Sequence, residues 1–211
     1  MNTDAKRNLI KRLIDERPAF HNWPDGSAAN WATSDDVLAY IVETVRPGMV
    51  TLETGVGYST LAFAIAGSSH TCVTSQREQA SRVELYCRRI AVERANLRFI
   101  CESSDFALAR KGVVPPSLDF VFIDGAHRFP FPCLDWHYTE RSLRLGGIVG
   151  IDDCDIPSVR VLHDFLAGEP EWEMVQRFVR STFFRRVSYA DVALDFQAQV
   201  LNRCYVEQCY A

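Results

Sequence analysis

Residues 53–59 are the first place in this sequence where residue types and their spacing suggest chemistry. They read Glu-Thr-Gly-Val-Gly-Tyr-Ser, after a run of β-forming residues and before a helical pattern. Gly55 and Gly57 allow a tight turn and a close approach of the backbone to a ligand, as in loops that bind nucleotides. The sequence therefore predicts a nucleotide-type binding loop between a strand and a helix.

The acid of this loop distinguishes between two nucleotide cofactors. A dinucleotide fingerprint has a third small residue where Thr60 stands, and a carboxylate directly after the next strand, where this chain has Thr74-Ser75-Gln76. Glu53 repels a pyrophosphate but attracts an ammonium or sulfonium group. The loop therefore favours S-adenosylmethionine over NAD. An NAD-dependent oxidoreductase and a non-catalytic cofactor-binding or metal-binding module remain the alternatives.

Two apolar runs further along the chain each end in carboxylates. Asp124 follows the first run, and Asp152 and Asp153 follow the second. If the runs are neighbouring parallel strands, the three acids lie at one edge of the sheet. Acids with ordinary pKa values near ~3.9 are ionised at neutral pH and repel one another. Oxygen ligands suit Mg²⁺, Ca²⁺ or Mn²⁺, so these residues are the predicted metal ligands.

Two features qualify this metal prediction. Neighbouring side chains on a strand point to opposite faces, so Asp152 and Asp153 can share one ion only if the chain leaves the strand between them. His127, three residues after Asp124, is equally consistent with a loop histidine bonded to backbone and with substrate positioning or proton transfer. Asp124 and His127 are therefore the catalytic candidates.

The elements that must position these residues alternate between short apolar runs and helical patterns. Two helices, over 3–17 and 35–45, flank a predicted loop at 20–33. The predicted strands are 50–53, 71–74, 97–101, 118–124 and 147–152, and the predicted helices between and after them are 59–66, 79–93, 105–111, 130–144 and 158–167. This alternation predicts an α/β fold, a doubly wound and mostly parallel sheet covered by helices on both faces. Two final strands, over 172–178 and 182–187, are predicted to form an antiparallel edge pair.

Composition excludes several classes of protein. The 211 residues suit one domain, and the formal net charge of -4 provides no positive field for nucleic acid or anionic lipid. No apolar run approaches the ~18–20 residues of a membrane span, and the start of the chain lacks an apolar signal core. The seven cysteines are an odd number and include no CxxC pair, so they indicate neither a zinc framework nor a secreted disulfide scaffold. We expect a soluble, cytoplasmic protein.

With these motifs in order, the chain resembles the class I S-adenosylmethionine-dependent methyltransferases. It is most similar to the branch of macrocin-type sugar O-methyltransferases and cephalosporin hydroxylase-like proteins. The resemblance rests on residues 53–59, on Ile-Asp-Gly-Ala-His at 123–127 and on Gly-Gly-Ile-Val-Gly-Ile-Asp-Asp at 146–153, and it extends over about residues 34–187.

The resemblance implies a seven-stranded sheet with an edge hairpin, and O-methylation of a small-molecule hydroxyl assisted by Mg²⁺. Asp124, Asp152 and Asp153 would hold the metal, and Asp124 or His127 would take the hydroxyl proton. In this family an acid after the second strand often binds the ribose hydroxyls. At this position the present chain has Gln76 and, two residues further on, Glu78. The implied cofactor-binding residues are Glu53, Thr54, Gly55, Gly57, Tyr58, Ser59, Gln76, Ser104, Asp105 and Asp124.

The expected organisation has three parts. Residues 1–33 form an N-terminal helix and a lid-like loop, residues 34–187 form the methyltransferase domain, and residues 188–211 form a tail. Apolar and aromatic positions of the tail could pack against a second copy, so a homodimer is one expectation for this segment. These positions are Val192, Phe196, Val200, Leu201 and Tyr205.

Overall fold

The computed structural model describes residues 1–29, 31–189 and 199–202, and within them strands and helices alternate as the sequence predicts. The strands are β1 (His21–Asn22), β2 (Ala28–Ala29), β3 (Val50–Thr54), β4 (Ser69–Thr74), β5 (Leu97–Cys101), β6 (Leu118–Ile123), β7 (Leu143–Ile151), β8 (Trp172–Arg177) and β9 (Thr182–Arg186). The helices are α1 (Thr3–Glu16), α2 (Asp35–Thr44), α3 (Tyr58–Ala66), α4 (Arg77–Arg89), α5 (Ser104–Ala107), α6 (Phe131–Glu140) and α7 (Pro157–Gly168), with a 3₁₀ turn at Val200–Asn202.

Seven of the strands form one sheet in the order β5-β4-β3-β6-β7-β9-β8. The five strands β5, β4, β3, β6 and β7 pair in parallel. Strands β9 and β8 complete the edge next to β7 with antiparallel pairing. The predicted fold class is therefore confirmed. The order of the strands reverses between β3 and β6, and ligands of such sheets bind in the crevice at this switch point.

The core lies on both faces of the sheet, and β6 shows why. Phe120 and Phe122 pack on the side of α1 to α4, while Val121 and Ile123 pack on the side of α5 to α7. A strand buried on both faces is a continuous apolar run, which is the pattern of residues 120–123. The same run carries the chain to Asp124 at the carboxyl end of the sheet.

Helix α2 and the short hairpin before it are held by side-chain hydrogen bonds. Ser34 caps α2, because its side chain accepts a hydrogen bond from the backbone N–H of Val37. The segment predicted as a loop contains the short pair β1 and β2, with His21 opposite Ala29. Arg82 of α4 fixes this hairpin by donating to the carbonyl of Phe20 at 3.3 Å and to Asn22 Oδ1 at 2.8 Å.

The predicted boundary between α6 and β7 was wrong. The helix ends at Glu140 instead of continuing to residue 144, and the strand already begins at Leu143. Leu143 is fully buried opposite Leu118, and Arg144 is paired with Asp119. Long-range pairing with β6 thus determines the conformation of residues 143–146, whereas their local pattern suggested a helix. Helix α5 is also shorter than predicted, since it ends at Ala107.

No helix among the described residues is long and apolar enough to cross a bilayer. Val200 and Leu201 of the predicted dimer contact lie in the 3₁₀ turn, where the backbone N–H of Leu201 donates to Glu169. The remaining residues of that predicted contact, Val192, Phe196 and Tyr205, lie outside the described residues, as do Cys204 and Cys209.

Gly150 provides a test of how tightly the edge pair packs on the sheet. A Cβ atom at Gly150 would lie 2.4 Å from the ring of Phe183 and 2.8 Å from the ring of Phe122. Gly150→Ala should lower the free energy of unfolding by about 1–3 kcal/mol, because both rings are buried and must move. Urea unfolding measures this change. Gly168→Ala is the matched control, since nothing lies within 4 Å of its Cβ position, and equal effects of the two substitutions would contradict the packing.

Candidate active site

A cavity of about 760 Å³ opens at the switch point, where the parallel strands end. Its volume lies within the ~300–1,000 Å³ range of small-molecule sites. Loops after β3, β4, β5, β6 and β7 contribute to its wall, together with residues 31–34 and the turn between β8 and β9. Among the predicted site residues, the following line the cavity: Thr54, Gly55, Gly57, Tyr58, Ser59, Gln76, Ser104, Asp124, His127, Asp152 and Asp153.

The glycine loop packs directly against the end of β6. Gly55 has a φ of +100°, and a Cβ atom there would lie 2.0 Å from the backbone oxygen of Asp124. The N–H of Gly55 donates to the carbonyl of Val73, and the N–H of Asp124 donates to the carbonyl of Thr54. Only glycine fits this conformation and this contact. The loop and Asp124 are thereby held next to each other.

Glu53 does not line the cavity, although the sequence predicted that it contacts the cofactor. It is fully buried beneath the loop, where Ser59 Oγ donates to its Oε2 at 2.7 Å and Thr60 Oγ1 donates to its Oε1. The ring of His70 lies on its other side, with Nε2 at 3.1 Å from Oε1. The acid therefore binds the start of α3 instead of a ligand in the cavity.

Tyr58 is at the cavity wall, but its hydroxyl group serves the fold. The Oη atom donates to the carbonyl of Pro18 at 2.9 Å, and the ring packs edge-on against Phe20. Burial raises the pKa of Tyr58 to about 12, so the phenol stays protonated. This contact joins α3 to the N-terminal segment.

The end of β4 presents neutral polar groups to the cavity. Ser75, Gln76 and Gln79 line it, whereas Glu78 points away and is paired with Arg82. Of the two suggested substitutes for the family's ribose-binding acid, only Gln76 is therefore placed at the cavity.

Two predicted cofactor-binding residues follow β5, and only one of them lines the cavity. Ser103 and Ser104 line the cavity, whereas Asp105 does not. Asp105 Oδ1 instead accepts a hydrogen bond from the hydroxyl group of Ser103, within its own turn. The structure thus places Ser104, and not Asp105, where a ligand in the cavity can reach it.

Asp124, His127 and Asp153 form a compact group on the opposite wall. One ligand atom from each lies within 4.8 Å of the others. His127 Nε2 is 3.8 Å from Asp124 Oδ1 and 3.3 Å from Asp153 Oδ2. Burial, and then the charge of Asp152, raises the pKa of Asp124 well above its usual value, and Asp124 in turn raises the pKa of His127. Asp124 and His127 therefore hold their protons more tightly than an ordinary aspartate and histidine do.

Asp152 lies apart from this group, although it was predicted as a ligand. The chain leaves β7 at Ile151, and Asp153 adopts a left-handed φ of +55°. Asp152 is buried and accepts a hydrogen bond from Ser181 Oγ, while Asp153 turns to His127 and Arg180. The two carboxylates diverge, so His127 stands in the group where the prediction had Asp152.

Arg180 adds positive charge at the rim of this wall. Its Nη2 lies 2.6 Å from Asp153 Oδ1, and its Nε lies 3.1 Å from Asp155 Oδ1. The side chain is 55% exposed, so solvent screens both pairs. A cation bound by Asp153 would compete with this guanidinium group for the carboxylate.

Sequence reasoning missed Asp135, a buried acid on α6. Its side chain is 1% exposed, behind the cavity wall, near the hydroxyl groups of Ser104 and Thr54. Burial raises its pKa to about 6, and the two hydroxyl groups oppose this shift. A signal was available, because Pro132, Asp135 and Thr139 share one helical face, and that face is buried.

Comparisons with known proteins agree with this geometry. Residues 52–154 match a family model described as a methyltransferase domain. Similar folds occur in cofactor-bound Rv0187 from MTB (15% identity, TM-score 0.66, covering 87% of this chain and 90% of that chain). They also occur in the O-methyltransferase TomG from Streptomyces achromogenes, involved in tomaymycin synthesis and solved with S-adenosylmethionine (17%, 0.62, 89% and 92%). A third is an O-methyltransferase from Bacillus cereus in complex with S-adenosylhomocysteine (14%, 0.60, 89% and 92%). No curated protein matches the chain in sequence.

Asp135 makes the stability of the protein depend on pH in a defined window. Its folded-state pKa of about 6 exceeds the ordinary 3.8, so its contribution to stability is present at low pH and is lost as pH rises from 3.8 to 6. Asp135→Asn removes this loss, and its advantage over the wild type should grow by up to about 3 kcal/mol between pH 4 and 7. Paired urea unfolding curves measure the difference. A difference that stays constant with pH would contradict the shifted pKa.

Proposed function

Because the chain is a class I S-adenosylmethionine-dependent methyltransferase, we propose that it transfers the cofactor's methyl group to a hydroxyl group of a small molecule, assisted by a divalent cation. One observation carries the proposal: Asp124, His127 and Asp153 converge on the wall of the cavity that the glycine loop also lines. The O-methyltransferases TomG and that of Bacillus cereus share the fold, which supports oxygen as the acceptor atom.

The cavity offers suitable groups to each part of the cofactor. The backbone of residues 54–59 can approach it closely, Gln76 can hydrogen-bond the ribose, and Ser104 can contact the adenine. Asp124 is the acid at the cavity wall beside the loop. Burial favours its protonated form, and sulfonium and ammonium charges bound next to it would favour the ionised form, so it is the residue suited to attract them. Glu53, Tyr58 and Asp105 act indirectly, through the hydrogen bonds that hold the wall in place.

The residues present also fit a divalent cation. His127 Nε2 is buried and has no hydrogen-bond partner among the described residues, yet it lies between two carboxylates. A cation would satisfy this nitrogen and both acids together. One imidazole nitrogen and two carboxylate oxygens form a mixed set, which suits Mn²⁺ and other divalent transition ions in addition to the predicted Mg²⁺.

Asp124 is the residue best placed to accept the acceptor's proton. A bound cation would supply Lewis-acid chemistry, lowering the pKa of the acceptor hydroxyl. As the new C–O bond forms and the S–C bond breaks, the hydroxyl proton would pass to a carboxylate oxygen of Asp124, which lies at the cavity wall beside the glycine loop. His127 orients the group, because its Nε2 faces both carboxylates.

The rest of the cavity wall suits an acceptor that carries a ring. Trp31 lines the cavity, is 50% exposed and contacts Trp23 edge-on at 5.3 Å between ring centroids. Phe131 and Val179 line it as well. Large aromatic faces at a cavity mouth bind rings by stacking, so residues 20–33 act as a lid-like recognition segment. The net charge of the chain gives no support to a nucleic-acid acceptor.

Calorimetric titration with S-adenosylhomocysteine tests the cofactor assignment. One site per chain is expected, and the ligand at 100 times its Kd should stabilise the fold by about 2.7 kcal/mol in a melting experiment. NAD is the control ligand and should leave the melting temperature unchanged. Absence of binding by S-adenosylhomocysteine would refute the cofactor site.

Measurements of Mn²⁺ affinity test whether Asp153 or Asp152 is a ligand of the cation. Asp153→Asn should weaken Mn²⁺ binding at least about tenfold in calorimetry, because it removes a charged ligand. Asp152→Asn is the matched control and should change the affinity little, since Asp152 is bonded to Ser181. Binding of S-adenosylhomocysteine should persist in both variants and serves as the check on folding. The reverse order of effects would restore Asp152 as the ligand.

Methyl transfer itself is tested with methyl-labelled S-adenosylmethionine and a panel of phenols, catechols, glycosides and RNA. Label should enter hydroxyl groups of small molecules, and a chelator should reduce the rate until Mg²⁺ or Mn²⁺ is restored. Label in RNA, or a rate unaffected by the chelator, would count against the acceptor class or the cation respectively.

A further inference from the structure

A buried chain of polar side chains runs beneath the glycine loop, from the end of α3 to its beginning. All of its members are at most 3% exposed, and no part of the mechanism uses them directly. Parallel pairing places His70 of β4 opposite Thr51 of β3, and Glu53 lies on the same face two residues further along. The members are Ser68, Thr51, His70, Glu53, Ser59 and Thr60.

At the Ser68 end of this polar network, the hydrogen bonds require a proton on His70 Nδ1. The hydroxyl group of Ser68 donates to the carbonyl of Phe63, which can only accept. Thr51 therefore uses its proton to donate to Ser68 Oγ, at 2.9 Å. His70 Nδ1 lies 2.8 Å from Thr51 Oγ1, whose only proton is already engaged, so Nδ1 must carry a proton and donate it.

At the other end of the network, the hydrogen bonds of Thr60 and Ser59 show that both carboxyl oxygens of Glu53 act as acceptors. The backbone N–H of Gly57 can only donate, and it donates to Thr60 Oγ1 at 2.9 Å. Thr60 donates its own proton to Glu53 Oε1, and Ser59 donates to Oε2. Both carboxyl oxygens thus accept hydrogen bonds from the residues that begin α3.

One proton must then lie between His70 Nε2 and Glu53 Oε1. The two atoms are 3.1 Å apart, and without a proton two lone pairs would face each other in a buried site. The proton makes the pair neutral overall, whichever atom holds it. Phe63 stacks on the imidazole at 4.4 Å with an interplanar angle of 11°, which fixes the ring in this orientation.

We propose that His70 is a positioning residue of the cofactor site, which shares a proton with Glu53 and thereby makes Glu53 a neutral anchor for the loop. The inference rests on the proposed function only in that the loop binds the cofactor. It also relocates the electrostatic recognition: the charge of Glu53 is cancelled beneath the loop, and Asp124 becomes the acid that attracts the cationic groups of the cofactor.

A double-mutant cycle on cofactor affinity tests the shared proton. Calorimetry with S-adenosylhomocysteine compares His70→Gln, Glu53→Gln and the double variant with the wild type. Each single substitution should weaken binding about tenfold or more, because it leaves its partner buried without its charge-balancing neighbour. The double variant should lose clearly less than the product of the two single losses. Losses that simply multiply would overturn the pairing, and the exposed His137→Gln is the matched control.

A measurement on the wild-type protein covers the case in which a variant does not fold. With ¹⁵N-labelled histidine, the His70 ring is identified by NMR through its contact with Phe63. A proton on Nδ1 and an exchange-protected proton between Nε2 and Glu53 are expected. A ring with an unprotonated Nδ1 would overturn the inference. If the wild type fails to bind S-adenosylhomocysteine, the proposed function fails, whereas the proton assignment is still decided by this spectrum.

Discussion

The contact between the Gly55 backbone and the carbonyl of Asp124 is the constraint on which the site depends. A side chain at residue 55 would place its Cβ 2.0 Å from that oxygen, so two strand ends approach as closely as two backbones can. Sequence distance makes this contact costly to form, since 69 residues separate its partners. Parallel pairing of β3 with β6 brings them together. One short contact therefore places the glycine loop beside Asp124, the acid that we propose to contact both the cofactor and the cation.

Three acids at or behind the cavity wall have raised pKa values, which lowers the stability of the fold at neutral pH. Burial raises the pKa of Asp124, Asp135 and Asp152, so each resists ionisation in the folded protein. Packing alone would favour apolar residues at these positions. Acids with raised pKa values that line or support one cavity are what proton transfer and cation binding require. Under the proposed function, proton transfer and cation binding would account for their presence, since the stability of the core does not.

The sequence predicted the order of the elements and the fold class, and most of the residues it predicted for the site line the cavity, because periodicity and turn residues are local signals. It did not predict which of two adjacent acids turns inward, since the left-handed φ of Asp153 follows from packing against the β8–β9 turn. Nor did it predict the role of Glu53. Thr51 and Glu53 alternate with the apolar Val50 and Leu52, a pattern typical of a solvent-facing strand, whereas α3 covers that face.

Under the proposed function, the neutral pair of His70 and Glu53 beneath the glycine loop affects the selectivity for S-adenosylmethionine over S-adenosylhomocysteine. A charged Glu53 would attract the ammonium group of the cofactor before and after transfer alike. Attraction centred on Asp124 instead acts at the wall where the methyl group is transferred, and the sulfonium charge disappears when S-adenosylmethionine becomes S-adenosylhomocysteine. The attraction between that charge and the Asp124 carboxylate is lost at the same time. An acid at the reacting end, above a neutral anchor, therefore favours the substrate over the product of the same reaction.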